Sequence, residues 1–439
     1  MIMTQSVKQE MPEGYKQTEI GVIPEDWDVR KIIEFTDCTA GGTPSTFTPA
    51  YWGGNIKWMN SGELNNKKIF NVAGRITTEG LRNSSTKIVP ANCVLIGLAG
   101  QGKTRGTAAI NRVELCTNQS IAAIYPTEHH NSDYLYYSLD SRYDELRSLS
   151  TGGEGRGGLN LSIIRNILVT FPQKHEQDRI AASLSDIDLL VEKLEELVKK
   201  KKNIKQGAMQ ELLTGKRRLL GFGVKDGLKR TEIGMIPTDW SIKTCEELGS
   251  FYKGRGISSK DLVQDGLPCI MYGDIYVKFE TKFVNPDFRI TKNTAAKSSR
   301  AKKGDLFFTS SGETAEEIGK CVVYLGDDDI YIGGDIIALT PNKCVDSLFL
   351  AYMQNSKVLL SQKANLGQGY TVVHIYTEHI KSLKIPFPST KREQTAIANI
   401  LSDMDSEIEE LESQLQKYKN IKQGMMQNLL TGKIRLIKK

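Results

Sequence analysis

The chain has 439 residues, 39% of them hydrophobic and 25% charged, with 58 Lys and Arg against 52 Asp and Glu for a formal net charge of +6. Such a composition fits a soluble folded protein of roughly three domains and excludes global disorder. A membrane span is excluded too, because the apolar runs are short and the longest helical pattern is heavily charged.

The mild positive charge is, taken alone, weak evidence for a polyanionic partner; its distribution says more. Seven scattered cysteines and five dispersed histidines make no ligand spacing, so the cysteines read as small core residues and a zinc site is not expected. With no basic, apolar leader at the start, the expected location is the cytoplasm, with no membrane partner.

In chain order, residues 1–15 lack periodicity and read as a lead-in. Thr18-Glu19-Ile20-Gly21, Ile23-Pro24 and Asp26-Trp27 then open a globular block, expected over 16–172. Inside it, Cys93 to Ile96 and Ser120 to Tyr125 read as strands between glycine-containing turns, and Asp133 to Leu149 reads as a helix with Tyr134, Tyr137 and Leu146 packing inward. A long helical segment follows over 173–220, then a linker at 221–228. The pattern restarts with Thr231-Glu232-Ile233-Gly234, Ile236-Pro237 and Asp239-Trp240, opening a second block over 229–387. Its expected strands are Leu306 to Phe308, Cys321 to Leu325 and Asp335 to Leu339; its expected helix is Ser347 to Gln362, packing through Phe349, Tyr352 and Met353. A second helical segment over 388–439 ends the chain. A repeat period above 200 residues means duplicated domains rather than a solenoid.

The helical segments are the most closely matched part. Glu176 to Lys216 returns as Glu393 to Lys433 with 25 of 41 positions identical. Ile180, Leu184, Ile187, Val191, Leu194 and Val198 fall at alternating steps of four and three, and Ile397, Leu401, Met404, Ile408, Leu411, Leu415 and Tyr418 repeat that heptad seam. A helix from Gln177 to Leu213 would be roughly 55 Å long at about 1.5 Å per residue, with a narrow apolar stripe that needs a partner. The other copy supplies one. Leu212-Leu213-Thr214-Gly215-Lys216 and Leu429-Leu430-Thr431-Gly432-Lys433 read as helix stops.

Chemistry-bearing motifs lie in the blocks. Gly97-Leu98-Ala99-Gly100-Gln101-Gly102-Lys103-Thr104 matches the P-loop pattern, so a nucleotide-binding enzyme is one alternative. Against it, a phosphate site needs a helix N-terminus directly after Lys-Thr, Arg105-Gly106-Thr107 starts a helix poorly, and the second block places Ser310-Ser311-Gly312-Glu313-Thr314 opposite, without lysine. The preferred reading is a glycine-rich basic loop in which Gln101, Lys103, Thr104 and Arg105 approach a nucleic acid. Arg156 within Gly152 to Asn160 fits the same description, as do Lys253, Arg255, Ser258, Ser259 and Lys260, and Gln368 with Tyr370.

Gly41-Gly42-Thr43-Pro44-Ser45 lies opposite Lys253 to Ile257, which puts Thr43 and Ser45 among the candidates. Trp52 and Trp58 read as core. Near them Lys57, Asn60 and Ser61, together with Asn118 and Gln119, and Tyr272, Ser310 and Ser311 in the second block, are candidate contacts to phosphates or base edges. No carboxylate pair, nucleophile–base arrangement or metal cluster repeats between the blocks, so no catalytic centre is expected.

Two blocks with one frame and different faces, the Phe171-Pro172 and Phe387-Pro388 strand ends running into Glu176-Gln177 and Glu393-Gln394, and the duplicated helices together resemble the specificity subunit of type I restriction-modification systems. The resemblance covers almost the whole chain. It implies an α+β fold of two tandem globular target-recognition domains separated by two long helices, packed as an antiparallel coiled coil with pseudo-two-fold symmetry. It implies a subunit without catalysis or cofactor of its own that reads double-stranded DNA. Two methyltransferase subunits using S-adenosylmethionine, and restriction/translocase subunits using ATP and magnesium, would be its partners. A coiled-coil adaptor with protein-binding end domains is the other alternative.

Overall fold

The computed structural model describes residues 11–100, 102–149, 158–223, 227–312, 318–367 and 373–437. It divides into two compact units: unit one takes Met1–Glu195 with Ser413–Lys439, and unit two takes Glu196–Glu412. The long helices, Lys174–Leu212 and Lys391–Leu429, have 39 residues each. Each begins in one unit and ends in the other.

Unit one holds a five-stranded sheet in the order Cys38–Ala40, Ile121–Ile124, Val94–Gly97, Ala108–Asn111, Lys68–Ile69. A four-stranded sheet runs Arg75–Ile76, Trp52–Met59, Leu115–Thr117, Ile88–Val89. The central strand is apolar at every position because it is covered on both faces, and the two-residue period of a strand sorts its side chains. Val94 and Ile96 join Ala108, Ile110, Ala122 and Ile124 against helix Ser132–Asp140, while Leu95 joins Ala109, Ile121 and Ala123 against Met59, Leu64 and Leu115.

Unit two repeats this arrangement, with one more edge strand in its second sheet, despite its poorly aligned sequence. Its first sheet runs Gly249–Lys253, Ile336–Pro341, Leu306–Thr309, Cys321–Tyr324, Lys282–Phe283, and its second runs Leu262–Val263, Phe288–Ile290, Leu267–Ile270, Ile330–Ile332, Ser299–Ala301. Leu306, Phe308, Cys321 and Val323 again face one core and Phe307, Val322 and Tyr324 the other.

Three sequence readings are corrected. Asp133 to Leu149 is two helices, Ser132–Asp140 and Tyr143–Ser148, because Arg142 leaves helical geometry and donates to the Leu168 carbonyl at 2.6 Å. Ser347 to Gln362 breaks after Gln354, because the Asn355 amide turns to clamp the Cys321 backbone through bonds of 3.0 and 2.7 Å. Cys344 is exposed, unlike the other six cysteines, which are buried.

Within each unit the two helix segments run antiparallel. In unit one Asp188 meets Lys422 at 2.5 Å and Glu195 meets Lys419 at 2.6 Å, so rising numbers on one helix meet falling numbers on the other. In unit two Lys205 pairs with Asp405, Lys201 with Glu407 and Lys202 with Glu412 in the same sense. Ile180, Leu184, Ile187, Leu194, Val198, Ile397, Leu401 and Ile408 are buried; Val191, Met404, Leu411, Leu415 and Tyr418 are half-buried. Burial alone would raise the Asp188 carboxyl, but hydrogen bonds from Lys422, Tyr137 and Lys68 outweigh it and hold its pKa below the ordinary value.

The helix tails dock on the block openers. Leu429 and Leu430 enter the core of unit one with Ile23 and Trp27, and Leu212 and Leu213 enter that of unit two with Ile236 and Trp240. Gly432 has φ +71° and Gly215 φ +68°, and a Cβ on either would stand 2.5 or 2.4 Å from a ring carbon of Pro24 or Pro237. Only glycine fits there.

Beyond each tail an arginine closes a clasp. Arg435 reaches Glu176 at 2.7 Å and Asp26 at 2.7 Å over the Trp27 ring, whose indole N–H donates to Glu176 at 3.0 Å. Arg218 does the same with Glu393, Asp239 and Trp240. Both glutamates are nearly inaccessible, at 0% and 3% exposure. Hydrogen bonds from Arg435 and Arg218 hold Asp26 and Asp239 below the ordinary carboxylate range. The clasps are therefore complete above the carboxylates' unfolded pKa and weaken as pH falls through the depressed values.

Replacing Arg435 with Met strands the Glu176 charge and is expected to cost about 3–5 kcal/mol, read as an earlier denaturant midpoint for unit one; an unshifted midpoint would contradict the clasp. The exchange of tails yields a second expectation. A fragment of residues 1–223 retains Trp27 and Glu176 but loses Leu429, Leu430 and Arg435, while its own Leu212, Leu213 and Arg218 lose their partners. Two copies satisfy each other, so the fragment should sediment as a dimer; a well-folded monomer would count against the exchange.

Candidate nucleic-acid interface

In unit one the candidate loops leave the sheets at one end. Strands Trp52–Met59 and Leu115–Thr117 are parallel with Met59 opposite Thr117, so Asn60 and Asn118 emerge side by side, joined by Asn118 N–H to the Met59 carbonyl at 3.0 Å. Gly42 N–H donates to the Thr117 carbonyl at 2.9 Å, and a Cβ on Gly41 would lie 2.0 Å from that oxygen, so the glycines let the 41–48 loop lie flat on the strand end. Leu98 N–H donates to Ser120 and Leu159 N–H to Leu98, both at 2.8 Å, which ties Leu98 and Leu159 to the same strand ends.

Trp52 and Trp58 correct the sequence reading: they are half-buried, not core. Their rings meet edge to face at 5.0 Å, and their indole N–H groups donate to Ser45 O at 3.1 Å and Gly42 O at 3.0 Å. The pair holds the loop out. Thr43 and Gln119 are exposed and joined at 2.6 Å, and Ser45 is exposed beside them. Asn60 is occupied locally, accepting from Gly62 N–H at 2.8 Å and donating to Glu63, with Ser61 opening that short 3-10 helix. The Asn118 oxygen likewise accepts from Ser120 N–H at 3.1 Å. Lys57 stands apart, half-buried in mid-strand opposite Arg75.

After Lys103-Thr104 the chain turns at Arg105-Gly106 and returns as strand Ala108–Asn111, antiparallel to Val94–Gly97. A hairpin stands where a P-loop has a helix. Lys103 is exposed, Thr104 and Arg105 half-buried, and the loop is braced by Arg147 and Tyr143, which donate to the carbonyls of Gly102 and Lys103 at 2.6 and 3.2 Å. Gln101, Arg156, Gln368 and Tyr370 lie outside the described residues.

Unit two builds the corresponding place with other side chains. Gly254 N–H donates to Ile336 at 2.9 Å, Arg255 N–H donates to Ile332 at 3.2 Å, and a Cβ on Gly254 would fall 1.7 Å from the Gly333 carbonyl. Lys253, Arg255, Ser258, Ser259 and Lys260 are exposed, though Ser258 is tied to Asp261 through both its N–H and its hydroxyl. Tyr272 is half-buried, its hydroxyl donating to the Ser311 carbonyl, and Ser310 donates to Asp335 O at 2.9 Å. The structure thus brings together Arg255, Tyr272, Ser310, Ser311 and the Gly333-Gly334 turn.

Two exposed groups at these ends escaped the sequence reading: His374, paired with Ser311, and Phe47, at 96% exposure. A phenylalanine in sequence reads as core, and nothing near Phe47 signals otherwise. Among the described residues, no group of three or more His, Cys, Asp or Glu could hold a metal ion, and no helix is long and apolar enough to cross a membrane.

The family model described as the type I restriction modification DNA specificity domain matches twice, over residues 24–206 and 237–422. The MjaVIII type I restriction enzyme specificity subunit of Methanocaldococcus jannaschii is 25% identical over 431 residues, 97% of this chain and 96% of that protein. The type I restriction-modification S subunit of M. genitalium shares the fold, with a TM-score of 0.59 at 17% identity, over 92% of this chain and 96% of that one. A chain of a type I restriction-modification system, solved to explain complex assembly and conformational transition, has a TM-score of 0.54 at 16% identity over 94% and 99%.

Trp58→Phe keeps the ring but removes the donor to Gly42. It should lower the stability of unit one by about 0.5–1.5 kcal/mol and speed chymotryptic cleavage after Phe47. Cleavage at the unaltered rate would mean that the indole does not hold the loop.

Proposed function

The chain belongs to the type I restriction modification DNA specificity family, and from that membership we propose that it is the subunit that reads DNA sequence within a type I restriction-modification enzyme. One observation carries the reading: the two units share the clasp and the strand order of the first sheet, and their second sheets differ only by one added edge strand, yet they present different side chains at the corresponding loop, Thr43 and Ser45 in one and Lys253 and Arg255 in the other. A scaffold kept while its contact surface varies is what recognition of two different words demands.

On this reading the blocks over 16–172 and 229–387 are target-recognition domains, each reading one half of a bipartite site whose halves differ in sequence. Lys103, Lys253, Arg255 and Lys260 serve the phosphate backbone, which positions without specifying. Exposed hydroxyls and amides such as Ser45, Thr43 and Gln119 face base edges. The fixed gap between half-sites is assigned to the long helices.

The chain supplies position and leaves reaction to its partners. S-adenosylmethionine belongs to the methyltransferase subunits, and ATP and magnesium to the restriction/translocase subunits. Two methyltransferase subunits per chain follow from the helical repeat, because 25 of 41 positions recur and a surface present twice binds twice. Such an assembly works on cytoplasmic DNA. The nucleotide-enzyme alternative loses its motivation with the hairpin after Thr104, and no observation favours the adaptor.

Exchanging residues 229–387 for the same block of a relative should change one half of the methylated sequence in the host genome and leave the other half unchanged. Methylome sequencing reads the outcome; a swap that alters both halves together overturns the two-reader arrangement.

A further inference from the structure

The tip of the 41–48 loop is a tight turn over Thr46-Phe47, closed by Thr48 N–H to Ser45 O at 3.3 Å, and the Trp52 indole bonds the same oxygen. Downstream, Tyr51 O accepts from Thr77 N–H at 2.9 Å and Ala50 O from the Thr77 hydroxyl at 2.8 Å. Upstream, Pro44 is buried and Thr43 is held by Gln119. The turn is anchored on both flanks, and its tip carries a phenylalanine at 96% exposure beside the exposed Ser45 and Thr46. Single exposed apolar residues are ordinary on protein surfaces. This one is braced on both flanks at the strand ends where the exposed amide and hydroxyl candidates converge.

From this geometry we infer that Phe47 is a wedge that enters the base stack of double-stranded DNA at the half-site read by unit one; the inference rests on the DNA-recognition reading above. Apolar side chains set between base steps unstack them and open the groove to neighbouring contacts. A ring on a braced turn loses little freedom on insertion. Thr43, Ser45 and Gln119, adjoining it, then reach base edges at the opened step. The equivalent stretch of unit two has no such group: between Arg255 and Lys260 the apolar residue, Ile257, is buried at 8% exposure. The wedge is a property of one half-site, and that asymmetry makes it testable.

The experiment uses the chain assembled with its methyltransferase subunits and duplexes carrying 2-aminopurine at successive positions of both half-sites. The base that is methylated brightens by its own extrusion, so the remaining positions are read. The expected result is brightening at one step, in the unit-one half-site only. Phe47→Ser should abolish it and weaken specific binding roughly ten- to hundred-fold, in line with the loss of an aromatic stacking contact, whereas Phe47→Leu should retain most of both.

Brightening that persists in Phe47→Ser, or its absence in the wild type, overturns the wedge while leaving sequence-specific methylation, and so the recognition reading, intact. Loss of methyltransferase assembly by Phe47→Ser, with unchanged DNA affinity of what assembles, also overturns it by assigning the ring to a protein contact. An assembled enzyme with no sequence preference at all overturns both.

Discussion

A carboxylate taken out of water must be paired, and this chain has buried one twice. Glu176 and Glu393 sit at the starts of the long helices with almost no solvent contact, and each is satisfied by an indole and a guanidinium. The indole belongs to the opener of the same block; the guanidinium comes from the tail of the other helix. A unit lacking that tail retains a buried charge with half its partners, a state disfavoured by several kcal/mol. The long helices are thus required by each unit's own interior, whatever else they do. The Leu-Leu-Thr-Gly ends, the positive φ of Gly215 and Gly432, and the Ile-Pro openers are all parts of that closure.

The helices were legible in sequence because duplication preserved a heptad phase that unrelated segments would not share. Their tails were legible as stops but not as plugs, since their partners lie at the far end of another block. Arg218 and Arg435, just past the last residue of the matched stretch, carried no visible signal. The shared strand order of the two blocks was hidden for a related reason. A strand covered on both faces needs only apolar residues of fitting volume, so Val94-Leu95-Ile96 and Leu306-Phe307-Phe308 do the same work with little identity.

At the candidate interface the glycines marked where backbones approach, and Gly41 and Gly254 do stand against the carbonyls of Thr117 and Gly333. Which side chains remain available was not legible. Asn60 and Asn118 look like readers in sequence, yet their oxygens close local turns. Trp52 and Trp58 look like core and instead hold up a loop. Asparagine at a turn and tryptophan beside glycine are ambiguous because the same hydrogen-bonding groups serve architecture and recognition alike, and only the partner's position separates the two uses.

The exchange of tails also bears on how such a chain can vary over time. The two helical copies present the same plug, Leu-Leu-Thr-Gly-Lys followed by arginine two positions on, and each closes its unit on the same kind of Ile-Pro and tryptophan partner. A genetic crossover inside the copied helices therefore joins blocks of different ancestry while keeping a plug for each opener. The architecture separates what must be inherited unchanged from what can be replaced wholesale, so a new DNA word is reachable in one recombination event rather than by many tolerated point changes.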